Sequence, residues 1–333
     1  MRQRWWHMCR SFDTFVGRDY SDYFNQVRKG YSNIDNPFWY YEKLINELLT
    51  LKDIEILPMK EFVKKEYNGK KLIGLRHDID ADPITAVKCA RALAREGLSG
   101  SFYFLHSAIY YGEFYDGIFI RNPMIQEWIK QIVIAGSEIG VHNDVLGVYK
   151  HHGYDGKKHF IEELNWMRGC GANIVGITSH NNFLTYGAEN SEVFKSKELI
   201  LNRNNAVMKK EDRFIYDVLG SLDLTSLGIE YDATFNKQKE IVDFNDIRSY
   251  LSENSIFTNE LWAKKYFLNN PVNDWDVDYQ AWLIGKNKWI LSSQKYNIFE
   301  YEISLNELLR QIDNIQTDIS ILLELHPEYF GGK

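Results

Sequence analysis

The chain has 333 residues, 44% apolar and 26% charged, which are the proportions of a globular protein with a sizeable core rather than a disordered or fibrous one. Its formal net charge is −7 and no sustained basic run occurs, so the electrostatic footprint of a nucleic-acid binder is excluded. Cys9, Cys89 and Cys170 are too few and too scattered for a disulfide framework or a cysteine-rich zinc site, and nothing reads as a membrane span or secretion signal, so a reducing, cytoplasmic location is expected.

Residues 1 to 36 mix aromatics with Arg, Asp, Ser and Gly at weak periodicity and read as an arm over the main domain. Pro37 to Lys52 carries apolar residues at helical spacing and leads into Ile54-Glu55-Ile56-Leu57, a first strand region. Residues 1–60 are therefore expected to form an N-terminal extension packed on a domain of residues 61–330.

Next comes Lys71-Leu72-Ile73-Gly74-Leu75-Arg76-His77-Asp78-Ile79-Asp80, an apolar run that reads as a buried strand and ends in clustered polar residues. In a continuing strand Asp78 and Asp80 share a face. Two carboxylates that close disfavour joint ionisation and need a cation or a shared proton, and a divalent metal is the obvious candidate. Asp82 has a structural task instead, as N-cap of a helix with Pro83 at its first position. His77, Asp78 and Asp80 are left for chemistry, with Arg76 placed to orient the carboxylates or neutralise their charge.

From there helices and strands alternate. Ile84 to Glu96 is an amphipathic helix stopped by Gly97, and Gly100 to His106 is an aromatic strand, so the segments form a βαβ unit. Pro123 to Ala135 is helical and Glu138-Ile139-Gly140-Val141-His142 a short strand; Lys157 to Arg168 is helical and Asn173 to His180 a strand. Successive strands thus deliver Asp78 and Asp80, then His142, then His180 at their carboxyl ends, where parallel α/β folds build their sites. Short strands are plausible at Glu198–Leu201, Phe214–Val218 and Gly228–Phe235. The stretch from Phe257 to Leu291, with Trp262, Trp275, Trp282 and Trp289, reads as a packed cap or a sugar platform, the cap being favoured. Ser304 to Ile315 opens with a capping-box pattern, Ser304 and Glu307. Ile319 to Leu325 is a last buried strand ending at His326, with Pro327 holding that histidine at a rim. Of the other histidines, His106 also ends a strand, His151 and His152 fall in a Gly-flanked loop, and His7 and His159 read as surface residues.

His77-Asp78-Ile79-Asp80, Glu138-Ile139-Gly140-Val141-His142, Ser179-His180 and Leu325-His326-Pro327, in that order, resemble the motifs of the polysaccharide deacetylases of the NodB-homology type, carbohydrate esterase family 4. Tyr231-Asp232-Ala233-Thr234-Phe235 is similar to a further strand of that family, so the resemblance spans roughly residues 70 to 330. It implies an α/β fold, a distorted and incomplete (β/α) barrel, carrying N-terminal and Trp-rich peripheral additions. It also implies a metal-dependent hydrolase that removes an acyl group from the amine of a sugar, as in surface polysaccharide biosynthesis. Carried over by position, Asp78 is the catalytic base, His326 the acid, and Asp80 and His142 are metal ligands.

Two departures mark a divergent branch. Ile79 separates the two Asp that the family sets side by side, so Asp78 and Asp80 could exchange roles or both bind metal. Leu146 stands where the family has a second His, so the third ligand is His180 or Asp144, His180 being favoured because imidazole suits a borderline metal. Zinc is the expected divalent ion, with iron, cobalt and nickel open. Arg76, Asn143 and Asp144 are the expected substrate contacts. The partner is a carbohydrate or other small amide, and no nucleic acid or membrane span is expected. Two further readings stand beside this one: a metal-dependent hydrolase of a small non-sugar amide, and a catalytically inactive carbohydrate-binding relative.

Overall fold

The computed structural model describes residues 36–180, 190–194, 220–234 and 277–332 apart from 294, 295 and 297, together with Val218 and a few positions between 23 and 30. In chain order its elements are α1 (Phe38–Leu49), β1 (Ile54–Leu57), α2 (Met59–Phe62), β2 (Lys71–Ile79), α3 (Pro83–Arg95), β3 (Ser101–Leu105), β4 (Gly112–Tyr115), β5 (Ile118–Arg121), α4 (Ile125–Ile134), β6 (Glu138–Asn143), α5 (Val145–His152), α6 (Gly156–Gly169), β7 (Gly176–Ser179), β8 (Tyr231–Asp232), β9 (Tyr279–Gly285), β10 (Lys288–Ser293), β11 (Ile298–Ile303), α7 (Leu305–Asn314) and β12 (Ile319–Leu325). No helix among the described residues is long and apolar enough to cross a membrane.

The fold is mixed α/β around a ten-stranded sheet in the order β11-β10-β9-β12-β2-β3-β6-β7-β8. Every pairing on that path is parallel except those that β10 makes with β9 and β11. The tenth strand, β1, pairs with the amino half of β2, and β3 pairs with its carboxyl half, so both share one edge while β12 takes the other. β1 lies within the expected N-terminal extension yet is an integral member of the sheet.

All nine residues of β2 are buried, which is why the strand reads as a nearly continuous apolar run: a central parallel strand is covered on both faces. Its alternation separates two cores. Ile73, Leu75 and Ile79 join Phe102, Phe104, Ile321 and Leu323 in the larger core beneath the helices, whereas Leu72 joins Met59, Phe62, Tyr103, Tyr231 and Leu322 in a smaller one on the inner face. The inner face carries glycines where its rings need room. A Cβ on Gly74 would lie 2.7 Å from the Phe62 ring, and one on Gly140 or Gly176 would overlap the rings of Tyr103 or Tyr231.

The expected caps are present. Asp82 accepts from Thr85 N at 3.0 Å with Pro83 at the first position of α3, and Ser304 accepts from Glu307 N at 3.3 Å at the start of α7. The Trp-rich stretch is corrected in part: Trp282 lies on β9 and Trp289 on β10, strands of the main sheet, and the buried Trp289 donates its Nε1–H to Tyr40 Oη at 2.9 Å. His151 and His152 close α5 instead of lying in a loop. The β4–β5 hairpin, turned at Asp116-Gly117 with both φ positive, has no counterpart in the sequence reading. Trp262, Trp275, Glu198–Leu201, Phe214–Asp217 and most of residues 1–35 lie outside the described residues.

Candidate metal and catalytic centre

The carboxyl end of β2 divides its polar cluster between the two faces. His77 points outward, fully buried, with its ring stacked on Phe102 at 4.2 Å between centroids. Nδ1 lies 3.1 Å from Ser101 O, which only accepts, so Nδ1 carries the proton and Nε2 takes the Tyr41 hydroxyl at 2.9 Å. Burial lowers its pKa to about 4, against the opposing pull of the Ser101 carbonyl and Asp78. The chemical role expected of His77 is therefore overturned: both ring nitrogens are engaged in the core, and the imidazole is a neutral packing residue.

The inner face gathers the remaining expected residues. Parallel register sets His142 opposite Thr178 on β7 and Leu325 opposite His77 on β2, so the ends of β2, β6, β7 and β12 reach one rim. Asp80, His142 and His180 each offer a ligand atom, and these atoms lie within 4.8 Å of one another. His142 Nε2 is 3.3 Å from Asp80 Oδ1, and His326 Nε2 is 3.6 Å from Asp80 Oδ2. Asp80 Oδ1 is buried without a hydrogen bond. Burial alone would raise the Asp80 pKa, but His142, His180 and His326 around it hold the carboxyl well below the usual range.

A hydroxyl backs the His142 ring. Thr178 Oγ1 lies 2.6 Å from His142 Nδ1 and directs its own proton at Asp78 Oδ1, 3.5 Å away. In the tautomer in which that oxygen accepts from Nδ1–H, the Nε2 lone pair faces the Asp80 carboxylate. Two electron-rich groups at 3.3 Å call for a positive charge between or beside them, a proton or a metal ion. A donor set of one carboxylate and two imidazoles suits zinc and other first-row divalent ions, so the residues fit the expected metal.

Behind these groups, Asp144 and Asn143 serve the scaffold. Asp144 is fully buried and caps α5 through Gly147 N; it accepts from Ser107 Oγ at 2.6 Å and from Asn190 Nδ2 at 2.9 Å, and its Oδ1 is 3.8 Å from His180 Nδ1. Burial would raise its pKa, but His180 and Ser107 bring it down to about 2. Asn143, also fully buried, donates to Asn190 O at 2.8 Å and accepts from Val145 N at 3.1 Å. Asn190, which no motif or spacing singles out, clamps the rim: besides Asp144, its Nδ2 donates to His180 O at 2.7 Å, and its Oδ1 accepts from Leu146 N at 2.8 Å.

Below the rim lies a charged layer. Arg76, 4% exposed, forks onto Asp78 through Nε and Nη2, donates from Nη1 to Ala233 O at 3.0 Å, and brings Nη1 within 3.4 Å of Glu324 Oε2. Burial opposes both charges, yet Arg76 holds Asp78 below the usual carboxylate range and Asp78 with Glu324 raises Arg76. Arg76 thus orients and neutralises the carboxylates. Glu324, another residue missed by sequence reasoning, shares with Asp78 and His326 a second group of atoms within 4.8 Å of one another. Its signal was its place two residues before His326 on β12, hence on the same face. Beside them Glu328 is buried with neither carboxyl oxygen hydrogen-bonded; burial first, and then Asp80, Asp82 and Asp78, push its pKa well above the usual range.

The remaining histidines are also placed. His106 is buried and accepts from Asp144 N at 2.9 Å, supporting the rim from behind. His159, expected at the surface, is buried, with Nε2 donating to His106 O at 3.2 Å and its ring edge-on to Phe119 at 4.4 Å. Helical periodicity explains the correction, since His159 falls on the inward stripe of α6 with Phe160, Glu163 and Met167.

Comparison of the chain with protein-family models, with curated proteins and with solved structures finds no match in any of the three.

Proposed function

We propose that the protein is a metal-dependent hydrolase that removes an acyl group from the amine of a sugar, and that its sheet is the incomplete (β/α) barrel of the deacetylase type. The observation that carries this reading is the convergence of Asp80, His142 and His180 from three strand ends, with Asp80 Oδ1 buried and without a hydrogen bond. A divalent ion held by these residues, zinc by preference, would polarise the amide carbonyl and lower the pKa of water.

The chain's own groups supply the rest. Thr178 and Asp144 orient the imidazoles of His142 and His180, and Asn190 ties the two strand ends together. Water gives its proton to the carboxylate layer, for which the resemblance names Asp78, and His326 at the rim protonates the departing amine. The exposed fractions of the Asp80 and His180 side chains, 21% and 17%, leave a route for substrate from the carboxyl-end side.

The test is metal analysis of the purified protein, followed by acyl release from N-acetylated amino sugars in free, oligomeric and nucleotide-linked form. About one divalent ion per chain and release that stops on chelation and returns with zinc are expected. Sugar binding without release, with His142→Ala unaffected, would instead mark a binding protein; release only from small non-sugar amides would move the substrate class.

A further inference from the structure

The three candidate ligands are not held alike. His142 lies inside β6, with Leu105 of β3 opposite it on one side and Thr178 of β7 on the other. His180 follows the end of β7, and its backbone is tied at both ends: its N–H donates to Asn143 O at 2.8 Å and its carbonyl accepts from Asn190 Nδ2 at 2.7 Å. Asp80 lies past the paired part of its strand, because β2 pairs with β12 only as far as His77 and with β3 only as far as Ile79. There a side chain takes over. The Tyr110 hydroxyl donates to Ile79 O at 2.7 Å and accepts from Leu105 N at 3.0 Å, so it bridges the last residues of β2 and β3. Ile79 O belongs to the peptide unit that carries Asp80 N, and fixing one end of a planar unit fixes the other. The ring is itself held, fully buried and edge-on to Trp128 at 6.4 Å between centroids. Burial pushes the pKa of the phenol well above its usual value, so the hydroxyl remains a donor.

We propose that Tyr110 is a positioning residue of the metal centre: its hydroxyl sets the peptide from which Asp80 reaches the ion, in place of the strand pairing that holds His142. The assignment rests on the metal-centre reading and names what keeps its carboxylate ligand in place. Asp80 serves two neighbours at once, with Oδ1 at 3.3 Å from His142 Nε2 and Oδ2 at 3.6 Å from His326 Nε2. A turn of the peptide between Ile79 and Asp80 would disturb both contacts, and a site whose ligands are free to turn loses its preorganisation. The connection from β3 to β4 that supplies Tyr110 also supplies His106 and Ser107, which hold Asp144 behind His180. One segment thus braces the centre at two of its ligands. The next residue, Tyr111, is also fully buried but sends its hydroxyl elsewhere, to Glu163 Oε2 of α6 at 3.1 Å.

The test compares Tyr110→Phe with Tyr111→Phe in the full chain, since each loses one buried hydroxyl and keeps its ring. Three quantities that do not depend on turnover are measured: zinc affinity by competition with a chelating dye, the visible spectrum of the cobalt(II)-loaded protein, and the melting temperature of the metal-free protein. Tyr110→Phe should bind zinc about 10–100-fold more weakly and show an altered cobalt spectrum. Tyr111→Phe should match wild type in both, even where its melting temperature falls as far. Restoring a donor at position 110 with 4-aminophenylalanine should recover the wild-type spectrum. Unchanged affinity and spectrum in Tyr110→Phe, or equal losses in the two variants, overturn the assignment and leave the metal centre standing. Wild type that binds neither ion would defeat the metal-centre reading and the assignment together. Should Tyr110→Phe not fold, 4-fluorophenylalanine at the same position, which fills the place of the hydroxyl and has no proton to donate, serves in its stead.

Discussion

The two faces of β2 pass through the same layer of protein and treat ionisable groups in opposite ways. On the outer face His77 lies between Ile73, Leu75 and Ile79, stacked on Phe102 and kept neutral because water is excluded and each ring nitrogen already has a partner. On the inner face the Arg76 guanidinium forks onto Asp78 and lies within 3.4 Å of Glu324, and the imidazoles of the rim stand around Asp80, so the Asp78 and Asp80 carboxyls are held below the usual range. The lesson is that burial alone does not determine charge state: His77 and Asp78 are adjacent and almost equally buried, and the difference lies in direct contact, because Arg76 forks onto Asp78 whereas His77 meets the Ser101 carbonyl and the Tyr41 hydroxyl.

The largest expected effect comes from breaking the compensated face. Asp78→Ala leaves the Arg76 guanidinium with Glu324 as its acidic partner and should lower the free energy of unfolding by about 3–5 kcal/mol in urea titrations. A loss below 1 kcal/mol would mean that Glu324 and the Ala233 carbonyl satisfy Arg76 by themselves.

The outer face should reveal itself through pH. The folded pKa of His77 is about 4, below the ordinary 6.5, so the unfolded chain binds its proton as pH falls through 6.5 while the folded chain waits until about 4. His77 thus contributes its full stability above pH 6.5 and loses it as pH falls towards 4, a change of roughly 3 kcal/mol. His159, also lowered to about 4, adds to the slope in the same window, so the diagnostic quantity is the difference between wild type and His77→Phe in urea midpoints from pH 7 to 4.5. Equal slopes would show that His77 takes up its proton in the folded state.

Smaller effects sharpen the same contrast. Gly140→Ala places a methyl against the Tyr103 ring on the inner face and should destabilise by about 1–3 kcal/mol, whereas Gly169→Ala, whose new Cβ meets nothing within 4 Å at the exposed end of α6, should not destabilise in the same thermal melts. Thr178→Val removes the hydroxyl behind His142 Nδ1 at little change in volume; divalent-ion affinity, measured by competition with a chelating dye, should fall about 10–100-fold. An unchanged affinity would remove Thr178 from the account of how His142 is oriented.

Much of this was legible in one dimension. Apolar runs bounded by Gly and by Asp or Ser caps specify where β2, α3, β6 and α7 lie, because capping and side-chain alternation are local physics, and the recurrence of Asp80, His142, His180 and His326 at strand ends follows from the same reading. What the sequence could not determine is which neighbour a side chain meets. His77 and Asp78 look equally chemical until the sheet has two faces, and His159 looks exposed until α6 turns its stripe inward. Asn190 and Glu324 become part of the site only when β6, β7, β9, β12 and β2 are brought side by side. Charge compensation and exclusion of water are properties of three-dimensional neighbourhoods, assembled here from residues as far apart as Arg76 and Glu324, and for that reason the tertiary structure alone decided them.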